Sequence, residues 1–403
     1  MDLLFCYPSH VLGGAEYLFV RCAKYLSEKS PFFTVGYIDY EDGFATTQLD
    51  EKICKIRYED GKKLYINPGS IIIAPLSLMV KLNNYFENPE SLIYLFWSLS
   101  ITNLTCYLGN AKFKALMVSK KKRKAIGVRL NKLIQKGVIR FMDYSNYYSV
   151  SQAFFFTSKV DYIPIAVDDF IIPVNTHMPN SGNLIFLWLG RLDHEKCNTI
   201  ATFMNEIEAL SYERNIELII IGTGNSEGRL KKKASHLRYK VSFLGNKMGQ
   251  ELVEIIDKVD IGIAMGTSAL DIAKRNRPVI LEGLLNSEKE AGEVCDYICL
   301  FDSSFYDVVS PGYYTKSHIS TFKRIVNKID SNYSKTAELC SNYVYKNHLI
   351  SNVGPLLEKS ILEVAEKYDR SAYNDIVEIS NSFGGVKSVL RDCLKRVFGK
   401  AFT

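Results

Sequence analysis

The sequence predicts an α/β protein built from two doubly wound, mostly parallel sheets in tandem, with helices after them. Three observations predict it. Short apolar runs of strand length alternate with 3.6-residue helical repeats from Leu3 to about residue 300. A polar stretch with Pro173, Pro179, Asn180, Ser181 and Gly182 interrupts that alternation. A chain of 403 residues also exceeds what one ordinary core holds, so two domains are expected.

Leu3–Tyr7 reads as a first strand. Pro8-Ser9-His10 and the turn Gly13-Gly14-Ala15-Glu16 follow, and then Tyr17, Val20, Ala23, Lys24 and Leu26 recur at helical spacing. Strand, glycine turn and helix make the first βα unit. Further strands are expected at Thr34–Ile38, Ile71–Ala74, Leu92–Phe96, Ala115–Val118 and Tyr147–Val150. Asp161–Asp168 then leads into the polar stretch, which marks the domain boundary.

Leu184–Leu189 opens the second domain as an unbroken apolar run of six, suited to a strand buried on both faces. Strands are expected next at Glu217–Ile221, Val241–Leu244, Ile261–Ala264, Val279–Leu281 and Tyr297–Leu300. Beyond about residue 318 the pattern is helical through His348. Phe383–Phe402 places Val386, Leu390, Leu394 and Val397 on one face, with Lys387, Arg391, Lys395, Arg396 and Lys400 on the others. The expected division is 1–170, 183–345, and a helical segment with a basic tail over 346–403. Two such domains in tandem form a cleft, the default place for a ligand.

The chemistry centres on NLIFLWLGRLDHEK, Asn183–Lys196. A buried strand that opens at Gly190-Arg191 into a polar loop with Lys196, just before a helix, is where α/β proteins hold phosphate. Arg191 offers a planar fork and Lys196 a point charge, enough to neutralise a diphosphate. His194 lies in the same loop. Met265-Gly266-Thr267-Ser268 supplies a small-residue turn at a second helix start. Its hydroxyls suit phosphate or sugar, and Thr267 or Ser268 also suits a helix N-cap.

Composition is that of a folded protein: 47% hydrophobic and 23% charged. Ser91–Ala111 is the longest uncharged stretch, but its Ser, Thr and Asn side chains fit a strand and partly buried helix better than a membrane span. Met1-Asp2 carries no basic leader, so no signal peptide is expected. The nine cysteines are scattered without a Cys-x-x-Cys pair, which points to reduced thiols and no zinc. Lys112–Arg140 holds eleven Lys or Arg and no acid, against a net charge of only +6. There Val128, Leu130, Leu133, Ile134, Val138 and Ile139 alternate with cations, and no aromatics interleave for base stacking. An anionic membrane surface, not nucleic acid, is the partner this pattern and the basic tail suggest.

Several motifs in order resemble the GT-B glycosyltransferases of the large retaining family 4 type, which includes bacterial capsule, O-antigen and lipid glycosyltransferases. They are GGAE at Gly13–Glu16, VSQ at Val150–Gln152, IPIAVD at Ile163–Asp168 and GRLDHEK at Gly190–Lys196. IIIGTG at Ile219–Gly224, VSFLG at Val241–Gly245 and SALDIAKRNRPVI at Ser268–Ile280 complete the set. The resemblance implies a GT-B fold, two Rossmann-like domains facing a cleft. It also implies that Arg191 and Lys196 clamp the diphosphate of a sugar donor, with Gly13 and Gly14 over the same phosphates and Asp271 on the ribose hydroxyls. Gly222 and Gly224 would turn over the donor nucleotide, and the backbone near Leu244–Lys247 would read its base. Glu16, and His10 in part, would face the acceptor.

Two positions depart from that pattern. The first of the family's two Glu residues aligns with Ile263, and the His expected after the strand Leu92–Phe96 falls at Trp97-Ser98. The expected activity is transfer of a sugar from a UDP- or GDP-linked donor to a lipid-linked glycan, with retention and without an essential metal. It would serve surface polysaccharide synthesis at the cytoplasmic face of the membrane. The alternatives are a GT-B pair that binds or assembles without catalysis, and a nucleotide-sugar epimerase of the same architecture. Gly222-x-Gly224-x-x-x-Gly228 lacks the spacing of a dinucleotide fingerprint. Neither a Gly-x-Ser-x-Gly elbow nor a Walker sequence occurs.

Overall fold

The computed structural model describes residues 1–10, 13–108, 118–172, 179, 182–281, 283–293, 297–308 and 320–383. The chain divides into two compact units, Met1–Pro164 together with the chain from Val353, and Ile165–Asn352.

In the first unit β1 (Asp2–Cys6), β2 (Thr34–Asp39), β3 (Cys54–Arg57), β4 (Ile71–Pro75), β5 (Ile93–Ser98) and β6 (Ile139–Phe141) form one sheet. Its order is β3-β2-β1-β4-β5-β6, and every pairing is parallel. β4 is buried at all five positions, as a parallel strand covered on both faces must be. The helix Gly14–Lys29 follows β1 and buries Leu18, Phe19, Cys22, Ala23 and Leu26, with Phe19 edge-on to Phe5 at 5.7 Å.

Two expectations are corrected here. Tyr147–Val150 is no strand: the helix Tyr144–Phe154 occupies it. The carboxylate of Asp143 accepts the Asn146 N–H at 2.8 Å and caps the first turn, while Asn146, Val150 and Phe154 recur on one buried face. The apolar residues of the basic segment do not form a membrane-facing stripe. The helix Lys120–Gln135 turns Leu130, Leu133 and Ile134 into the core, stops before Gly137 (φ 77°), and hands Val138 and Ile139 to the start of β6. Only Val128 of that set is exposed. Of the strand expected over Ala115–Val118, only Val118 lies within the described residues, and it belongs to no strand.

The described residues from Val353 to Phe383 belong to the first unit. Their helices, Ile350–Lys367 and another over 370–383, bring acids to the cations of the basic segment. Asp375 meets Arg129 at 2.7 Å, Asp369 meets Lys136 at 2.6 Å, and Glu363 pairs with the buried Arg140. Phe383 ends the last described helix against Tyr107 and Phe154; the amphipathic tail beyond it lies outside the described residues.

In the second unit β7 (Asn183–Leu189), β8 (Asn215–Ile221), β9 (Lys240–Phe243), β10 (Ile261–Ile263), β11 (Val279–Leu281) and β12 (Ile298–Cys299) repeat the same winding. The order is β12-β11-β10-β7-β8-β9, parallel except for β12 on β11. The helix His194–Leu210 packs Ile200, Phe203, Met204 and Ile207 onto β7, where Phe203 contacts Trp188 and Tyr297 at 6.1 and 5.4 Å. Helices Phe322–Ser331 and Tyr333–Asn347 fall where the helical repeat places them. Among the described residues no helix is long and apolar enough to cross a membrane.

Candidate functional site

In the second sheet the chain winds from β7 outward to β8 and β9, then returns to β10 on the other side of β7. Open α/β sheets bind ligands beyond the strand carboxyl ends at such a switch. Register brings the relevant loops together. β7 and β8 end level, Leu189 opposite Ile221, and Ile263 at the end of β10 lies opposite Trp188.

Gly190 leaves β7 at φ 152°, a conformation open to glycine. A Cβ built there would lie 3.4 Å from Lys196 Nζ, 3.8 Å from Trp188 Nε1 and 4.0 Å from Ser268 Oγ. The missing side chain therefore leaves a notch ringed by an ammonium, an indole N–H and a hydroxyl. Lys196 sits in the first turn of its helix, and among the described residues no acid pairs with it. Burial pushes its ammonium down to about 8; Arg191 adds to the shift, and Asp193 and Glu195 oppose it. Arg191 itself is exposed and held by Asp193 at 2.9 Å. An exposed pair of that kind contributes less than about 1 kcal/mol, so the fork is readily released to a stronger anion.

Ser268 reaches the notch from the helix Thr267–Lys274. Gly266 (φ 62°) is its N-cap and donates its N–H to Val308 O at 2.7 Å, so Thr267 and Ser268 lie inside the first turn and neither hydroxyl caps the helix. Their N–H groups are among the donors a helix start leaves free, at the positive end of its dipole. Asp271 follows one turn along, half-buried, with Lys274 at 3.8 Å.

Gly222 and Gly224 are required by packing. A Cβ on Gly222 would meet Gly190 O at 2.0 Å, and one on Gly224 would meet the Leu192 carbonyl carbon at 2.4 Å. The two loops are laced by Gly190 N–H to Ile221 O, Leu192 N–H to Thr223 O and Ser226 N–H to Leu192 O, at 2.9–3.0 Å. These glycines thus hold the Arg191 loop in place from beneath. Lys247 pairs with Glu251, one turn along the start of the helix Gly249–Ile256.

In the first unit the GGAE turn has a different logic. Glu16 is buried, accepts the Ser9 hydroxyl at 2.9 Å, and folds back so that a Cβ on Gly13 would lie 2.6 Å from Oε2. The carboxylate secures the loop and the helix start at Gly14. His10 is exposed, stacked on Tyr40 with ring centres 4.0 Å apart and 3.3 Å from Asp42. Trp97 and Ser98 are buried, donating to Ile163 O at 3.0 Å and to Asn146 Oδ1 at 3.2 Å.

Sequence reasoning missed Trp188: an aromatic inside an apolar run reads as core, and its N–H gains meaning only from the neighbouring glycine. The signal was the polar atom itself, since a buried indole N–H requires an acceptor. Among the described residues no group of three His, Cys, Asp or Glu comes together as a metal site.

No protein-family model matches the chain, and no curated protein matches it in sequence. Solved structures do. A glycosyltransferase from Rickettsia africae ESF-5 is 15% identical with a TM-score of 0.58, over 90% of this chain and 98% of that one. WaaG, a glycosyltransferase involved in lipopolysaccharide biosynthesis, is 11% identical with a TM-score of 0.54, over 89% and 99%. The lipopolysaccharide outer core galactosyltransferase WaaB is 10% identical with a TM-score of 0.51, over 90% and 99%. These likenesses establish the fold as GT-B, two Rossmann-like domains.

Proposed function

We propose that the chain is a glycosyltransferase whose second unit holds a nucleoside-diphosphate sugar at the β7–β10 switch. One observation carries this reading: cationic and neutral donors converge on the Gly190 notch, and among the described residues neither Lys196 nor the Trp188 N–H has an acceptor. Buried donors left without acceptors are costly, and an anion removes the cost. Lys196 and Arg191 supply positive charge, and Thr267 and Ser268 supply first-turn donors, where a diphosphate leaving group develops negative charge as the glycosidic bond breaks. The same groups do the work that a divalent ion does in other transferases, so no metal is required. Asp271, one turn beyond Ser268, accepts the ribose hydroxyls. The departing phosphate oxygen takes the acceptor's proton, consistent with retention of configuration.

The donor is UDP- or GDP-linked, and the acceptor a lipid-linked saccharide in surface polysaccharide synthesis, such as lipopolysaccharide or capsule. The membrane contact of this reading rests on the exposed start of the helix Lys120–Gln135. Lys120, Lys121, Lys122 and Lys124 stand there at the positive end of a helix dipole, an arrangement that an anionic surface relieves. Phe155, exposed and with φ 59°, lies under Lys120 and Arg123 at 5.6 and 4.9 Å and adds an apolar contact. Such a protein works as a peripheral enzyme on the cytoplasmic face.

A second reading, a GT-B pair that binds the nucleotide without transfer, is favoured by one observation. Ile263, where the family carries a carboxylate, is a buried strand residue and leaves no acid there. Calorimetric titration with UDP, GDP, CDP and ADP, alongside Lys196→Ala, tests the site. One diphosphate is expected to bind with micromolar affinity and to weaken at least about tenfold, 1.4 kcal/mol, in the variant. If none binds, the transferase reading falls. Binding without turnover of any UDP- or GDP-sugar favours the second reading.

A further inference from the structure

We infer that Trp188 is a ligand-binding residue, its indole N–H donating to a phosphoryl oxygen of the bound diphosphate in the notch over Gly190. This rests on the donor-site reading above and names a contact that neither motif nor composition reveals. Trp188 is 2% exposed, and among the described residues its Nε1 has no hydrogen-bond partner. The chain's other tryptophan is the comparison: Trp97, equally buried, donates to Ile163 O at 3.0 Å. A buried N–H left unpaired burdens the folded state, and an acceptor oxygen removes that burden.

The position of the orphan atom is informative. Nε1 lies 3.8 Å from the point where a Gly190 Cβ would sit, Lys196 Nζ 3.4 Å and Ser268 Oγ 4.0 Å from that same point. The absent Cβ lets an acceptor oxygen rest on the Gly190 Cα, on the side where these three donors lie. The three groups come from different elements: the strand β7, the helix after it, and the helix after β10. All three are donors, and an oxygen with several lone pairs is what satisfies such a set. A phosphoryl oxygen has them and carries charge. Phosphate contacts of this kind position a donor regardless of its base, so Trp188 contributes affinity for the diphosphate and none for the nucleoside.

The test uses the full chain and Trp188→Phe, which keeps an aromatic ring and removes the N–H. UDP, GDP, uridine and guanosine are titrated into both. For whichever diphosphate the wild type binds, the variant is expected to lose about tenfold while the matching nucleoside binds equally. An unchanged diphosphate affinity overturns the inference and leaves the donor site standing. Equal losses for diphosphate and nucleoside make the ring a packing element and also overturn it. Absence of any diphosphate binding in the wild type removes the donor reading, and the inference with it. Should the variant misfold, the wild type labelled with 15N-tryptophan answers instead. It gives two indole resonances, and one is expected to shift on adding diphosphate and to stay put with nucleoside. If neither moves, the inference fails.

Discussion

Replacing Lys196 by Met is expected to stabilise the free protein while destroying its affinity for diphosphate. Both residues favour helix, so propensity changes little, and the stem is conserved in length. What changes is the charge. Burial beside Arg191 lowers the Lys196 ammonium from 10.5 to about 8, which corresponds to about 3 kcal/mol of penalty on the charged form at neutral pH. The sign follows from proton counts. Between about pH 8 and 10.5 the unfolded chain keeps this proton and the folded chain does not, so stability rises with pH across that window. Below pH 8 the folded protein carries the full penalty. Lys196→Met should therefore melt higher than wild type at pH 7 by an amount worth about 1–3 kcal/mol, and most of that gap should close by about pH 10.5. Diphosphate should raise the melting temperature of the wild type alone. Because a bound anion restores the proton, binding near pH 8.5 should take one up, read as a calorimetric enthalpy that changes with the buffer's ionisation enthalpy. A variant no more stable than wild type at pH 7, or a gap independent of pH, would refute the reasoning.

Two further outcomes are expected. Gly224→Ala, whose new methyl meets the Leu192 carbonyl carbon at 2.4 Å, should displace the Arg191 loop, costing about 1–3 kcal/mol of stability and at least tenfold in diphosphate affinity by calorimetry. Replacing Lys120, Lys121, Lys122 and Lys124 together by Ala should abolish co-sedimentation with vesicles containing anionic lipid at 0.15 M salt while leaving diphosphate affinity unchanged; retained sedimentation would remove the membrane role of that patch.

The sheets were legible because their strands are buried on both faces. Leu184–Leu189 and Ile71–Ala74 are continuous apolar runs that admit no amphipathic reading. β3, mostly exposed at the edge, and β6, three residues after a basic helix, carry no such signal and were missed. Tyr147–Val150 reads as strand by composition because its residue types are shared by half-buried strands, and only the Asp143 cap and the spacing of Asn146, Val150 and Phe154 select helix. The basic segment misled for a tertiary reason. Apolar residues among cations look like an interfacial helix until Asp369, Asp375 and Glu363, more than two hundred residues away, are seen to neutralise three of them. At the candidate site, strand-loop-helix logic picks out Arg191, Lys196 and Ser268, and the structure brings Lys196 and Ser268 to Gly190. The placement of the Glu16 carboxylate was not legible, since whether it points out or folds over its own N-cap depends on side-chain packing.

The energetics of the notch bear on whether the chain transfers a sugar or only binds. Among the described residues the partly buried Lys196 ammonium has no acid and the Trp188 N–H no acceptor, and both burden the folded state. Single substitutions, Lys196→Met or Trp188→Phe, would relieve each, and most proteins lie close to the stability that function needs. A shell with no ligand has no physical reason to hold both. The arrangement makes sense when the groups meet a charged oxygen, and more sense when that oxygen gains charge during reaction, because fixed donors that need not reorganise stabilise a transition state more than a ground state. Absence of an acid at Ile263 removes a contact to the sugar but none of this charge stabilisation. On the proposed reading the notch serves a leaving group, and the measurement that separates this from binding alone is kcat with Ser268→Ala. Loss of kcat with little change in donor affinity marks a transition-state contact, whereas equal loss in both marks a binding site alone.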